Sequence, residues 1–230
     1  MRMTAMVLVA ALAAPAAAQG TADYDFTYRY PPQAARIAPL KAWLEADKAR
    51  LRTATARDAA EDRQEAKRGG FPFRKYETQR EWKLVTDTPR FLSLSSQLYT
   101  YTGGAHGGTA SGGMVWDKRA GRRLDPRALF VSNAALQAAV MPAWCKWMVA
   151  ERKRRVGVGA DQMFGKCPAI KDVTVLLGSS NGRAFDRIGV IADQYLVGSY
   201  AEGQYETTLP VTAAVLRAVK PEYRAAFVAR

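Results

Sequence analysis

Along this chain the spacing of apolar positions alternates between every second residue and every third or fourth, and each change marks an element. Tyr24, Phe26, Tyr28 and Tyr30 alternate with polar residues from Asp23 to Tyr30, which predicts a half-buried strand ended by Pro31-Pro32. A long helix follows from Ala34 to Arg68, with Ile37, Leu40, Leu44 and Leu51 near one face and Trp43 beside it. Beyond Thr55 its residues are mostly charged, so its last turns stand in solvent, and Gly69-Gly70 stops it. Lys75–Val85 and Arg90–Thr102 read as strands joined near Asp87-Thr88-Pro89. In the second of them Leu92, Leu94 and Leu98 share one face, while Tyr99 and Tyr101 point to the other. Met114–Asp117 is a third strand, turned back near Gly121 into Leu124 as a hairpin.

The second half repeats the alternation. Pro126–Phe130 predicts a short helical turn, and Ser132 or Asn133 caps a helix running to about Arg155, kinked or divided at Pro142. Gly157 and Gly159 lie in a loop leading to Cys167-Pro168. Val173–Leu177 and Phe185–Ile191 are strands around the turn Ser179-Ser180-Asn181-Gly182, and Gln204–Leu209 is a closing strand. Pro210 and Pro221 each open a short helix. The order predicts an α+β fold, an antiparallel β-sheet packed by helices, in two similar-sized subdomains over 19–110 and 111–230.

Residues 1–18 read as a cleavable secretory leader, with Arg2 at its start, the apolar run Met6–Ala14, and the small residues Ala16-Ala17-Ala18. The run is shorter than the roughly 20 residues a membrane span takes. No Cys follows it, so no lipid anchor is expected, and the mature chain is expected in the periplasm or secreted. The sequence carries 34 Lys+Arg against 21 Asp+Glu, a formal net charge of +13. After export nucleic acid is not an expected partner, and the anions within reach are envelope polymers, lipid headgroups and acidic proteins. Peripheral membrane contact fits the same charge. The helix end Arg152-Lys153-Arg154-Arg155 is the candidate electrostatic contact, with a solvated helix end as the alternative.

Cys145 and Cys167 are the two cysteines, and an even count in an exported chain predicts one disulfide between them. Two Cys and one His are too few for a conventional zinc site unless carboxylates complete it, so no metal and no cofactor are expected.

Two segments carry candidate chemistry. In Gly103-Gly104-Ala105-His106-Gly107-Gly108, four glycines flank the one histidine just after a tyrosine-bearing strand. His106 there can pack a tight turn, touch a ligand, or act as a base or metal ligand. The second is Tyr195–Gly203, where Glu202 stands among small residues and tyrosines and can orient His106, meet a ligand, or enter a strand as an exposed acid. The candidate ligand contacts are Tyr99, Tyr101, Gly103, Gly104, His106, Gly107, Tyr200 and Glu202. A hydrolase would use His106 as general base, Glu202 as its orienting carboxylate and Ser95 or Ser96 as nucleophile, but no G-x-S-x-G elbow is present.

Taken together, Tyr101-Thr-Gly-Gly-Ala-His-Gly, Gly121 to Leu124-Asp125, Leu129-Phe130, Tyr195–Gly203 and Leu209-Pro210 resemble the RsiV-like extracytoplasmic domain family. The paired domains that precede the catalytic domain of the deacetylase PdaC are similar as well. The resemblance runs from Tyr24 to Leu216 and implies an α+β sheet packed by helices and a binding role in the envelope. Within that family RsiV serves as a lysozyme receptor. The chain departs from RsiV in having no membrane span or sigma-binding region, and from PdaC in having no added deacetylase domain, so neither signalling nor deacetylation is expected. Lysozyme is disfavoured as a partner because common lysozymes are basic too. The expected function is an exported, non-enzymatic binding module for peptidoglycan, an anionic envelope polymer or an exported protein, with a periplasmic hydrolase as the alternative.

Overall fold

A computed structural model describes residues 19–157 and 164–230. The expected leader, 1–18, and Gly159 lie outside the described residues.

The first sheet has six strands in chain order: β1 (Gln19–Gly20), β2 (Tyr24–Arg29), β3 (Tyr76–Asp87), β4 (Phe91–Tyr101), β5 (Gly108–Asp117) and β6 (Arg122–Leu124). The second holds β7 (Thr174–Gly178), β8 (Arg187–Ala192) and β9 (Tyr205–Pro210) in that order. The fold is α+β with two sheet-bearing units. To the expected antiparallel pairing it adds one parallel pair, Tyr24↔Tyr76 through Arg29↔Glu81. The pair is parallel because a long helix crosses between β2 and β3, returning the chain to the same end of the sheet.

That helix is shorter than expected. A single turn, α1 (Pro32–Ala35), is followed by α2 (Ala38–Gly69), which begins at Ala38 and so holds Pro39 in its first turn rather than its interior. Proline is accommodated in a first turn, where its missing N–H has no helical partner to lose. Gly70, at φ 69°, closes α2 by returning its N–H to the Ala66 carbonyl. Leu40, Leu44 and Ala59 of α2 pack on Tyr24, Phe26, Tyr28, Trp82, Leu92, Leu94, Met114 and Trp116, forming the smaller core. A hydrogen bond from Trp82 Nε1 to the Tyr28 hydroxyl, at 2.9 Å, satisfies a buried donor there.

β5 is longer than its apolar residues suggest, because Gly108–Gly113 pairs in register with Ser95–Thr100. Cross-strand pairing there overrides poor strand propensity. At Gly113 the second sheet crosses the first: a Cβ on that residue would stand 2.6 Å from the Val175 carbonyl oxygen. The larger core fills the space between the sheets and α3 (Asn133–Val156), with Phe91, Val115, Trp144, Met148, Phe185, Ile188 and Tyr205 inside it. α3 is capped by the Ser132 side chain, which accepts from Ala135 N, and it continues unbroken through Pro142. The closing helix, α4 (Ala213–Ala218), is capped by Thr212, since Pro210 still belongs to β9. A disulfide joins Cys145 on α3 to Cys167, with the Cα atoms 5.6 Å apart. Among the described residues no helix is long and apolar enough to cross a membrane.

Candidate functional site

The two glycine-rich turns meet where the sheets join. The first, Thr102–Gly107, links β4 to β5, and Gly103 adopts φ 90° within it. Gly107 is buried, and a Cβ there would run into the Tyr99 ring, so only glycine lets the turn lie flat on β4. Gly104 is tethered loosely, its carbonyl accepting from Arg74 Nη1 at 3.5 Å. His106 is thereby held out into solvent.

The second turn runs from Asp193 to Gly203 and contains the 3-10 helix Tyr200–Glu202. The His106 imidazole stacks on the Tyr200 ring with centroids 3.9 Å apart and planes inclined 23°. Tyr195 lies beside the stack, its ring centroid 6.4 Å from that of the imidazole. Nδ1 of His106 is 2.9 Å from the Gly107 carbonyl oxygen, which can only accept, so Nδ1 carries the proton. In the neutral ring Nε2 is then the acceptor for the Tyr195 hydroxyl, 3.3 Å away. Tyr195 is the one non-glycine residue with positive φ among the described residues, at 68°. It is also 56% exposed. An aromatic residue held in the left-handed region costs roughly 1–2 kcal/mol. Strain of that kind collects at ligand contacts, where the surrounding structure holds it in place.

Tyr99 reaches the same place from the open face of β4. Burial, with Glu77, Tyr200 and Tyr101 around it, raises its hydroxyl above the ordinary tyrosine range. Tyr101, half-buried, continues that face two residues on.

Glu202 has a different environment. Its side chain is 7% exposed. Its Oε1 accepts from Ser199 N at 2.8 Å, and its Oε2 accepts from the Tyr205 hydroxyl at 2.5 Å and Arg152 Nε at 3.2 Å. Desolvation pushes this carboxyl up, but the hydrogen bonds from Tyr205, the Ser199 amide and Arg152 outweigh it and leave it below the usual carboxylate range. Burial, then the bond to Glu202, pushes Tyr205 up to about 12. The carboxylate therefore holds its own turn together, and the imidazole nitrogens bond to Gly107 and Tyr195 instead. Ser96 is buried and accepts from Arg80, and Ser95 faces the groove between the sheets. No nucleophile–base–carboxylate relay is assembled among these side chains.

The basic helix end divides. Arg152 is buried, giving one donor to Glu202 and another to the Phe164 carbonyl. Arg155 lies over the Tyr205 ring at 4.1 Å and donates to the Glu202 and Gln204 carbonyls, each at 2.7 Å. Lys153 and Arg154 are exposed. Arg154 and Arg155 both bond Glu151 and push its carboxyl down to about 2.

Three residues outside the sequence-derived set complete the junction. The Asp193 carboxylate accepts from Ser111 N at 2.9 Å and Ser111 Oγ at 2.7 Å, and Gln204 Nε2 donates to both Ser111 Oγ and Asp193. This clamp pins the second turn to β5. Ser111 stands 82 positions from Asp193 and 93 from Gln204, so no local pattern betrays the clamp. Tyr195 did have a signal, as an aromatic residue three positions before Gly198 in a turn. Among the described residues no cluster of three or more His, Cys, Asp or Glu side chains could hold a metal.

Residues 18–109, from the edge of β1 to the opening of β5, match the family model described as Deacetylase PdaC. No curated protein matches the chain. Among solved structures, a DUF3298 family protein from Pseudomonas aeruginosa is similar at 19% identity over 67% of this chain and 66% of that one, with a TM-score of 0.48. A member of the same family from Bacteroides fragilis is similar at 17% identity over 74% of this chain and 66% of that one, with a TM-score of 0.49. The chain thus spans 66% of the length of each of these two structures.

Proposed function

We propose that this chain is an exported binding module of the cell envelope whose contact surface is the aromatic stack of His106, Tyr195 and Tyr200, backed by Tyr99 and Tyr101. One observation carries the reading. A strained, exposed tyrosine and an exposed imidazole are ordered by each other at the junction of two sheets, and a buried ion pair fixes the turn beneath them. Rigid aromatic side chains at the end of a groove provide a large contact area at small entropic cost. Residues 19–110 supply His106 and the tyrosines of β4, and 111–230 supply the second turn. Gly103, Gly104 and Gly107 shape the first turn, and Glu202 acts as a positioning residue. The leader and the net charge of +13 support an extracytoplasmic setting rich in anionic polymers. Lys153 and Arg154 add long-range attraction at low salt. The similarity of residues 18–109 to the PdaC family model is consistent with a wall-facing role, with deacetylation left to that family's own members.

The test is co-sedimentation of the mature protein with purified peptidoglycan sacculi and with outer-membrane vesicles across a salt series. The reading predicts retention on at least one fraction at low salt and loss of most of it in Tyr200→Ala. No retention at low salt, or retention indifferent to Tyr200, would overturn it.

A further inference from the structure

The aromatic stack stands at one end of a longer feature. Ser95, Gln97, Tyr99 and Tyr101 alternate along one face of β4, a run of about 20 Å at strand rise. Their neighbours on β3 are Lys83, Glu81, Gln79 and Glu77 in register. At the stack end Tyr99 meets Gly107 and Tyr200. In the middle Gln97 lines a small cavity with Thr27, Gln79 and Glu81, and its amide reaches Gln204 at 3.5 Å. At the far end Ser95 lines a cavity of about 350 Å³ with Arg187, Glu206 and Thr208 of the second sheet. β3 and β4 thus floor both cavities, and the second sheet walls the far one, giving a groove along this face.

The chemistry of that groove is specific. Its exposed groups are mainly amides and hydroxyls, which both donate and accept hydrogen bonds. Its charges are of both signs, Glu77, Glu81 and Glu206 interspersed with Arg29, Arg80, Lys83 and Arg187, so it is no uniform track for a polyanion. A protein interface of this length would centre on desolvated apolar or aromatic anchors, whereas here the aromatic rings lie at one end. Arg187, whose Nε stands 3.8 Å from the Asp186 carboxylate, lines the far cavity.

We propose that this groove seats an uncharged, linear glycan chain, one sugar ring stacked on the tyrosine–histidine platform and the following units bonded by Gln79, Gln97 and Ser95. The inference rests on the binding role proposed for the platform and names the ligand class. It is tested by calorimetry of the mature protein with β-1,4-linked N-acetylglucosamine oligomers of two, four and six units. Affinity is expected to rise about tenfold or more from the dimer to the hexamer as the groove fills. Loss of one hydrogen bond in Gln97→Ala or Gln79→Ala is expected to weaken hexamer binding about fivefold. Tyr200→Ala is expected to weaken both. Equal affinity for dimer and hexamer, or no effect of either glutamine, would overturn the groove while leaving the platform in place. Retention on sacculi without binding of any oligomer would overturn the glycan class. Failure of both retention and oligomer binding would remove the platform as well.

Discussion

The two turns that meet at the ring stack are held by opposite means. The first, around His106, is fixed by absence: a glycine that lets the chain lie against Tyr99, and few bonds of its own. The second, around Glu202, is fixed by presence, through a buried carboxylate that gathers Ser199, Tyr205 and Arg152. The difference teaches that similar glycine-rich sequences can serve unlike tasks. One turn presents a ring to solvent, and the other is the support against which that ring stacks.

The sharpest way to break this contrast is Glu202→Ala. It removes the Glu202 carboxylate from a buried pair with Arg152, and loss of one member of such a pair costs about 3–5 kcal/mol. Urea denaturation should show the loss, with a smaller one in Glu202→Gln. The pH dependence has a definite sign. Because the folded pKa of Glu202 lies below its unfolded value, its stabilisation is present above the unfolded value, near pH 4.3 by the ordinary glutamate reference, and fades as pH falls through the folded one. In Glu202→Gln that part of the acid sensitivity should vanish.

Reduction of Cys145–Cys167 comes next. Opening this cross-link should lower stability by about 3 kcal/mol in the chain-entropy account. The disulfide anchors the helix that carries Arg152 and Arg155, so hydrogen exchange should quicken at Tyr200–Gly203 and stay unchanged at Thr102–Gly107. Gly107→Ala probes the other turn: its methyl must displace the Tyr99 ring, at a cost of about 1–3 kcal/mol in thermal denaturation. The smallest effect, of opposite sign, is that of Tyr195→Gly. Relief of the positive φ should stabilise the fold by about 1 kcal/mol while reducing retention on envelope fractions.

Much of the fold was legible in the residues. The alternation of Tyr24, Phe26 and Tyr28 and the split of Leu92 and Leu94 from Tyr99 and Tyr101 reflect the strand period, and the smaller core follows from it. The parallel β2–β3 pair was not legible, because strand direction depends on a crossover that local spacing does not encode. Nor was the start of β5, where glycine and serine pair only because β4 lies beside them. At the site, glycine density marked both turns, yet the roles of their two polar residues differ from a shared relay. Burial of Glu202 depends on Arg152, 50 positions away, and Asp193 reaches Ser111 across 82. Partners so distant leave no mark on local sequence.

His106 is the one histidine of the chain, so the two carbon-bound protons of its imidazole, on Cδ2 and Cε1, give self-assigned NMR signals, of which that of the Cε1 proton is the probe. Titration of the mature protein with soluble fragments of digested peptidoglycan tests the platform most directly. The imidazole signal should shift saturably, with the same apparent affinity that calorimetry records. Binding detected by calorimetry while that signal stays still would place the contact elsewhere and contradict the account.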